Sequence, residues 1–183
     1  MALKATIYKA ELEIVDMDRN YYATHRLTLA CHPSETAERL MVRLLAFALN
    51  AHERLEFGKG ISDSDEPDLW LKDLTGVIEL WIELGHPDEK VLAKAIGRSP
   101  RVIVYTYSAN PDRWWDPIKN RFEGEQKLSV FNVSAQSAKD LGRMAAASMN
   151  LQCSIQDGEI WFRDDKDGAV RVDMEEPGMG QLL

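Results

Sequence analysis

Two carboxylates, Asp68 and Glu83, stand at the far ends of two alternating runs joined by a short turn. The runs are Asp68 to Leu74 and Val77 to Leu84, and Thr75-Gly76 between them predicts a two-residue β-hairpin turn in which Gly supplies positive φ. Pairing Leu74 with Val77 sets Lys72 opposite Glu79, Trp70 opposite Trp81 and Asp68 opposite Glu83. Directly opposed residues have Cβ atoms about 5 Å apart. Two carboxylates so placed repel unless a cation or a proton lies between them. Magnesium, or manganese in its place, suits such a pair, because it is often held by one or two carboxylates plus water and phosphate oxygens. The competing reading puts both residues on the solvated face of an antiparallel sheet with no chemistry to do. A one-residue slip would also part them. On the predicted register Leu69, Leu71, Ile78, Leu80, Ile82 and Leu84 form the core face. Asp68, Trp70, Lys72, Glu79, Trp81 and Glu83 form the polar one.

Other chemistry is thinly represented. GxGxxG, Walker A, HExxH, GxSxG and CxxC are absent. The histidines His25, His32, His52 and His86 are scattered, and His86 reads as an exposed loop residue beside Pro87. Cys31 and Cys153 lie in apolar, strand-like runs without metal or redox spacing, so they are predicted to be reduced core residues. The net charge of -8 argues against a general nucleic-acid coat but leaves room for a local basic cleft. The 183 residues, 45% of them hydrophobic and 28% charged, suit one soluble domain over 1–183. No secretory signal pattern and no run of about 20 apolar residues is seen, so a cytoplasmic protein without a membrane span is expected.

The elements that must position the carboxylates follow from periodicity. Ala5 to Val15 and Tyr21 to Cys31 alternate and form an expected N-terminal hairpin. Ser34 reads as the N-cap of a helix to about His52, with Glu35 in its first turn and an apolar stripe of Leu40, Leu44, Phe47 and Ala51. Glu35, Glu38, Arg39 and Arg43 then share one side, which reads as a solvated start with local ion pairs. Arg54 to Gly58 is a short strand, and Gly60 to Pro67 an acidic loop. After the central hairpin, Pro87 and Asp88 open a helix closed by Gly97. Lys90 lies about 170° from the centre of its apolar face and Lys94 about 130°. Arg101 to Tyr107 reads as a strand buried on both faces and parallel to its neighbour. Asn110 to Phe122 is a second crossover whose Trp114 and Trp115 read as packing. Leu128 to Ser134 is a buried strand, and Ser137 to Met149 a helix. Leu151 to Gln156 and Glu159 to Asp164 form a hairpin about Asp157-Gly158. Ala169 to Met174 is a last strand, and Gly178 to Leu183 a loose tail.

The order of helix with Glu38-Arg39, strand at Pro67-Asp68, strand with Glu83, helix with lysines and buried strand resembles the PD-(D/E)XK nuclease superfamily. That resemblance implies a restriction-endonuclease-like α/β core with a mixed sheet flanked by helices, here extended by an N-terminal β-hairpin. Pro67-Asp68 would be its PD element and Glu83 its second acidic residue. Ala37-Glu38-Arg39 resembles the acidic position on the first helix of archaeal Holliday-junction resolvases. Gly85 stands where the motif has its lysine, and the resemblance allows a lysine to move to the following helix, where Lys94 is better aimed than Lys90; Lys72, on the same hairpin face as the two carboxylates, is the next candidate. Across the chain, MALKATIYKA, HPSETAERLMVRLLAF, EPDLWL, LWIELGHPDEK and LQCSIQDGEIWF resemble the bacterial YaeQ family. The expectation is a magnesium-dependent nuclease with metal ligands Asp68 and Glu83 and catalytic residues Glu38, Asp68, Glu83 and Lys94, acting on DNA or RNA. The alternative is a non-catalytic nuclease-fold module that binds nucleic acid through Lys90, Lys94, Arg98 and Arg101, or binds a protein partner, transcription-associated on the family resemblance.

Overall fold

The alternating runs at the start of the chain become a long antiparallel ladder. The computed structural model describes residues 4–63 and 65–177; the tail predicted at Gly178 to Leu183 lies outside them. Strands β1 (Thr6–Asp16) and β2 (Tyr21–Cys31) pair without a register break, from Thr6 opposite Cys31 to Asp16 opposite Tyr21. Ala10, Leu12 and Ile14, alternate residues of β1, are buried, as the alternation predicts. Helix α1 (Ala37–Leu49) starts later than a Ser34 cap predicts. Ser34 is instead bonded to His32 Nδ1, and Thr36 Oγ1 accepts the Arg39 amide at 3.2 Å, so Thr36 caps the helix. The whole run Leu40 to Ala48 is buried, not only the predicted stripe, which marks a core helix. The expected solvated ion pairs are buried too. Glu35 precedes the helix with its side chain 1% exposed, and Arg39 and Arg43 close on it at 3.3 and 2.8 Å.

Backbone contacts sort the chain into two compact units, one of Met1–Leu49 with Gln136–Asp173 and the other of Asn50–Ala135 with Met174–Leu183. The first holds α4 (Ala135–Gly142), β8 (Ser148–Gln156), β9 (Glu159–Asp164) and β10 (Ala169–Val172) beside β1, β2 and α1. Its sheet runs β10-β9-β8-β1-β2, with β8 parallel to β1. The helix predicted to Met149 stops at Gly142, because Met149, Leu151, Cys153 and Ile155 alternate into the buried face of β8. Asp157 and Gly158 have φ of 51° and 76°, the left-handed pair of a type I′ turn at the predicted hairpin.

The second unit contains β3 (Leu55–Phe57), β4 (Leu69–Lys72), β5 (Ile78–Leu84), α2 (Glu89–Arg98), β6 (Val102–Thr106), α3 (Asp112–Trp115), β7 (Leu128–Val133) and β11 (Met174–Glu175). Its mixed sheet runs β11-β7-β6-β5-β4-β3. Asp88 caps α2 by accepting the Val91 amide at 2.9 Å. β5 and β6 are parallel across α2, and every residue of β6 is buried, as its apolar run predicts. β7 is fully buried only at Asn132 and Val133. Trp114 and Trp115 pack with Leu92, Val104 and Phe122. The strand predicted at Ala169 to Met174 is divided, since β10 pairs with β9 and β11 with β7.

Candidate functional site

The hairpin that carries Asp68 and Glu83 turns differently from its prediction, yet from Leu69 to Leu71 its strands keep the predicted partners. Asp73 and Val77 close the turn, with the Asp73 amide donating to Val77 O at 2.8 Å, so the loop has three residues, Leu74, Thr75 and Gly76. Gly76 has φ 89° and supplies the left-handed residue that such a loop needs. Asp73 Oδ1 accepts from the Thr75 amide, the Thr75 hydroxyl and the Val77 amide at 2.6–3.0 Å. Lys72 therefore pairs with Ile78, not with Glu79. The register then shifts between Leu71 and Lys72, leaving Glu79 as the extra residue of a β-bulge, and Trp70 falls opposite Trp81 as predicted. The bulge also moves Ile78 off the predicted core face and onto the side of Trp81.

That side is not solvated. Trp81 is 1% exposed and packs with Ala95 of α2, Val102 of β6, Trp70 and Ile78. Trp70 meets Trp81 edge-on at 6.0 Å, and Lys72 lies over the Trp70 ring at 3.5 Å, so Lys72 is spent on a cation–π contact. Glu83 Oε1 accepts the Trp81 indole N–H at 2.8 Å, which fixes the carboxylate from two residues back on the same strand face. Period-two spacing could have singled out Trp81 as that anchor.

Asp68 is 1% exposed. Its amide donates to Ile82 O at 3.1 Å and its Oδ2 accepts the Leu84 amide at 2.8 Å, so the residue grips β5 on both sides of Glu83. A Cβ on Gly60 would stand 2.4 Å from Asp68 Oδ1, so only glycine leaves room for the carboxylate there. Lys94 leaves α2 toward the loop before Asp68 and forms an ion pair with Asp65, whose carboxyl it holds below the usual carboxylate range by its hydrogen bond and charge. Arg98 donates to Asp65 O at 3.4 Å. Asp65 escapes sequence reasoning because nothing in an acidic loop selects one carboxylate. Glu38 belongs to the first unit, where its side chain abuts Gly142. Gly85 has φ 85°, a conformation a lysine at that position would adopt only with strain. Exposed His86 stacks on Trp114 at 5.5 Å. Among the described residues no group of three or more His, Cys, Asp or Glu side chains is placed to hold a metal.

Comparison with known proteins places the chain in a family. The chain is 44% identical over 167 residues to the "Uncharacterized protein YaeQ" of Escherichia coli strain K12, covering 91% of this chain and 92% of that one. The crystal structure of YaeQ protein from Xanthomonas axonopodis pv. citri matches with a TM-score of 0.89 at 48% identity, over 94% of this chain and 98% of that one. The YaeQ protein from Pseudomonas syringae matches with a TM-score of 0.90 at 33% identity, over 94% and 96%. The profile of the family described as "YaeQ protein" covers residues 1–173, and the chain belongs to the YaeQ family.

Proposed function

We propose that this chain is a divalent-metal-dependent nuclease with a restriction-endonuclease-like core. The order α1, β3, β4, β5, α2, β6 supports the core assignment. One observation carries the functional reading: Asp68 grips β5 around Glu83 while Lys94 reaches back from α2 to the loop that leads into Asp68. Two carboxylates meet the minimum for magnesium or manganese, with water and phosphate oxygens completing the shell. An ion bound there supplies Lewis-acid polarisation of a phosphodiester and a more acidic water. Lys94, released from Asp65 by an arriving phosphate, would offset the charge that develops on it. Glu38 enters on the family resemblance as the third acidic residue.

A second reading rests on the same contacts. Asp68 and Glu83 each already serve the fold, through the Leu84 amide and the Trp81 indole. A module that binds nucleic acid or a protein without cutting would keep both bonds. Incubation with DNA and RNA substrates, with and without magnesium or manganese, separates the two. Cutting that is lost in Glu83→Gln and weakened in Lys94→Ala is expected. No cutting of any substrate, with no metal-dependent shift of the melting temperature, would leave the binding module as the function.

A further inference from the structure

The two sheets have four outer edges, and three of them are too short to recruit another chain. β11 has two residues, β3 three and β10 four. Short edges of this kind are a common protection against edge-to-edge pairing. The fourth edge is β2, eleven residues long, with no proline and no bulge in its ladder with β1. Its outward backbone groups can be assigned. Arg43 Nη2 donates to Ala30 O at 3.0 Å, so that carbonyl points away from β1. Alternate residues share the orientation in an antiparallel strand, which gives Tyr22, Thr24, Arg26 and Thr28 outward N–H and C=O groups. Among the described residues no backbone hydrogen bond reaches these groups from outside the ladder. Their side chains are exposed, Tyr22 to 58% and the Arg26 side chain to 89%. The free stretch is bounded by Arg43 on Ala30 at one end and by the turn at Asn20, φ 55°, at the other.

We propose that the outer edge of β2 pairs antiparallel with the same edge of a second copy of this chain, about a twofold axis at Thr24. An edge that meets itself antiparallel makes an isologous, closed interface, whereas other geometries leave an open edge for further growth. The side chains fit this register. Thr24 faces Thr24 of the other copy, and Tyr22 faces Arg26 of the other copy twice, giving two aromatic–guanidinium pairs. Moving the axis to Arg26 would oppose two guanidinium groups directly, which is destabilising. β2 also carries no Asp or Glu in a chain of net charge -8, so this edge meets a second copy with little like-charge repulsion.

Sedimentation equilibrium over about a hundredfold range of concentration tests the pairing through mass action. Twice the monomer mass is expected at the upper end. Thr24→Pro removes an outward N–H without touching the ladder to β1, and should weaken the dimer by about tenfold or more while the circular-dichroism melt stays cooperative. If that variant does not fold, cysteine cross-linking decides. Thr24→Cys should link two copies on mild oxidation, since a hydrogen-bonded antiparallel pair has Cα atoms about 5.5 Å apart. Thr28→Cys, which faces no copy of itself in this register, should not. A monomer mass throughout would overturn the proposal. So would a folded Thr24→Pro dimer of undiminished strength, or equal cross-linking by both cysteine variants.

Discussion

At the scale of single residues, burial decides what each charged group is for. Asp68 is almost wholly enclosed, and the Leu84 amide donates to it. Asp68→Ala leaves that amide unpaired, and a buried unsatisfied donor costs about 1–3 kcal/mol. Urea unfolding should show that loss without added metal, while Asp68→Asn, which keeps an oxygen acceptor, should lose less. A metal-dependent rise in melting temperature that persists in Asp68→Asn would remove the residue from the proposed site. Glu35 is another enclosed carboxylate, held between Arg39 and Arg43. Glu35→Gln leaves two guanidinium groups without their counter-ion, and breaking a buried pair in this way costs about 3–5 kcal/mol. An unfolding midpoint unchanged by the substitution would show the pair to be idle. The thiols follow the same rule. Cys31 and Cys153 are buried and free, as their apolar surroundings predict, and burial pushes Cys153 up to about 12 and raises Cys31. The thiolate is the reactive form. A disulfide reagent should therefore label neither in the native protein at neutral pH and both in urea.

At the scale of elements, the central hairpin shows what periodicity can and cannot reveal. Alternation in Leu69 to Leu71 and Leu80 to Leu84 located both strands, and the pairing of Trp70 with Trp81 was legible from it. The turn was not, because Asp73 draws Thr75 and Val77 onto its carboxylate and lengthens the loop by one residue. The bulge at Glu79 takes up that residue, so the predicted register holds at Trp70 and fails at Lys72. The face expected to be solvated is covered, because no local pattern tells that α2 will pack on Trp81. The turn itself titrates. Hydrogen bonds from Thr75, then from Val77, hold the Asp73 carboxyl below its ordinary value. A carboxyl depressed in the fold adds stability above its unfolded value of about 3.9, and that stability fades as pH falls through the lower folded value. Asp73→Asn should thus melt below wild type at pH 7, with the gap closing as pH falls below the ordinary carboxylate range. A gap of constant width would mean that the charge of Asp73 contributes nothing to the turn.

At the scale of the whole molecule, the chain leaves its first sheet after α1, builds a second six-stranded sheet, and returns to complete the first with β8, β9 and β10. The strands of that return were legible, but their partner was not. Leu12 and Ile14 of β1 and Leu151 and Cys153 of β8 show the same alternation as many other residues, and nothing in it says that they will lie side by side in parallel. Such a pairing closes a loop that contains nearly all of the second unit. Closure of a long loop costs entropy before its contacts give anything back, so distant pairings tend to form late. The βαβ run from β5 through α2 to β6 is local and needs no such closure. Leu92 is fully buried in α2 and Leu151 almost so in β8. Each, replaced by alanine, should cost about 2–5 kcal/mol. The costs should divide differently between the two limbs of a stopped-flow chevron. Leu92→Ala should slow folding, since its contacts are made early, whereas Leu151→Ala should leave folding nearly unchanged and speed unfolding. Should Leu151→Ala slow folding by most of its equilibrium cost, the β1–β8 pair would belong to the nucleus, and the second unit would be assembled on a first sheet already closed.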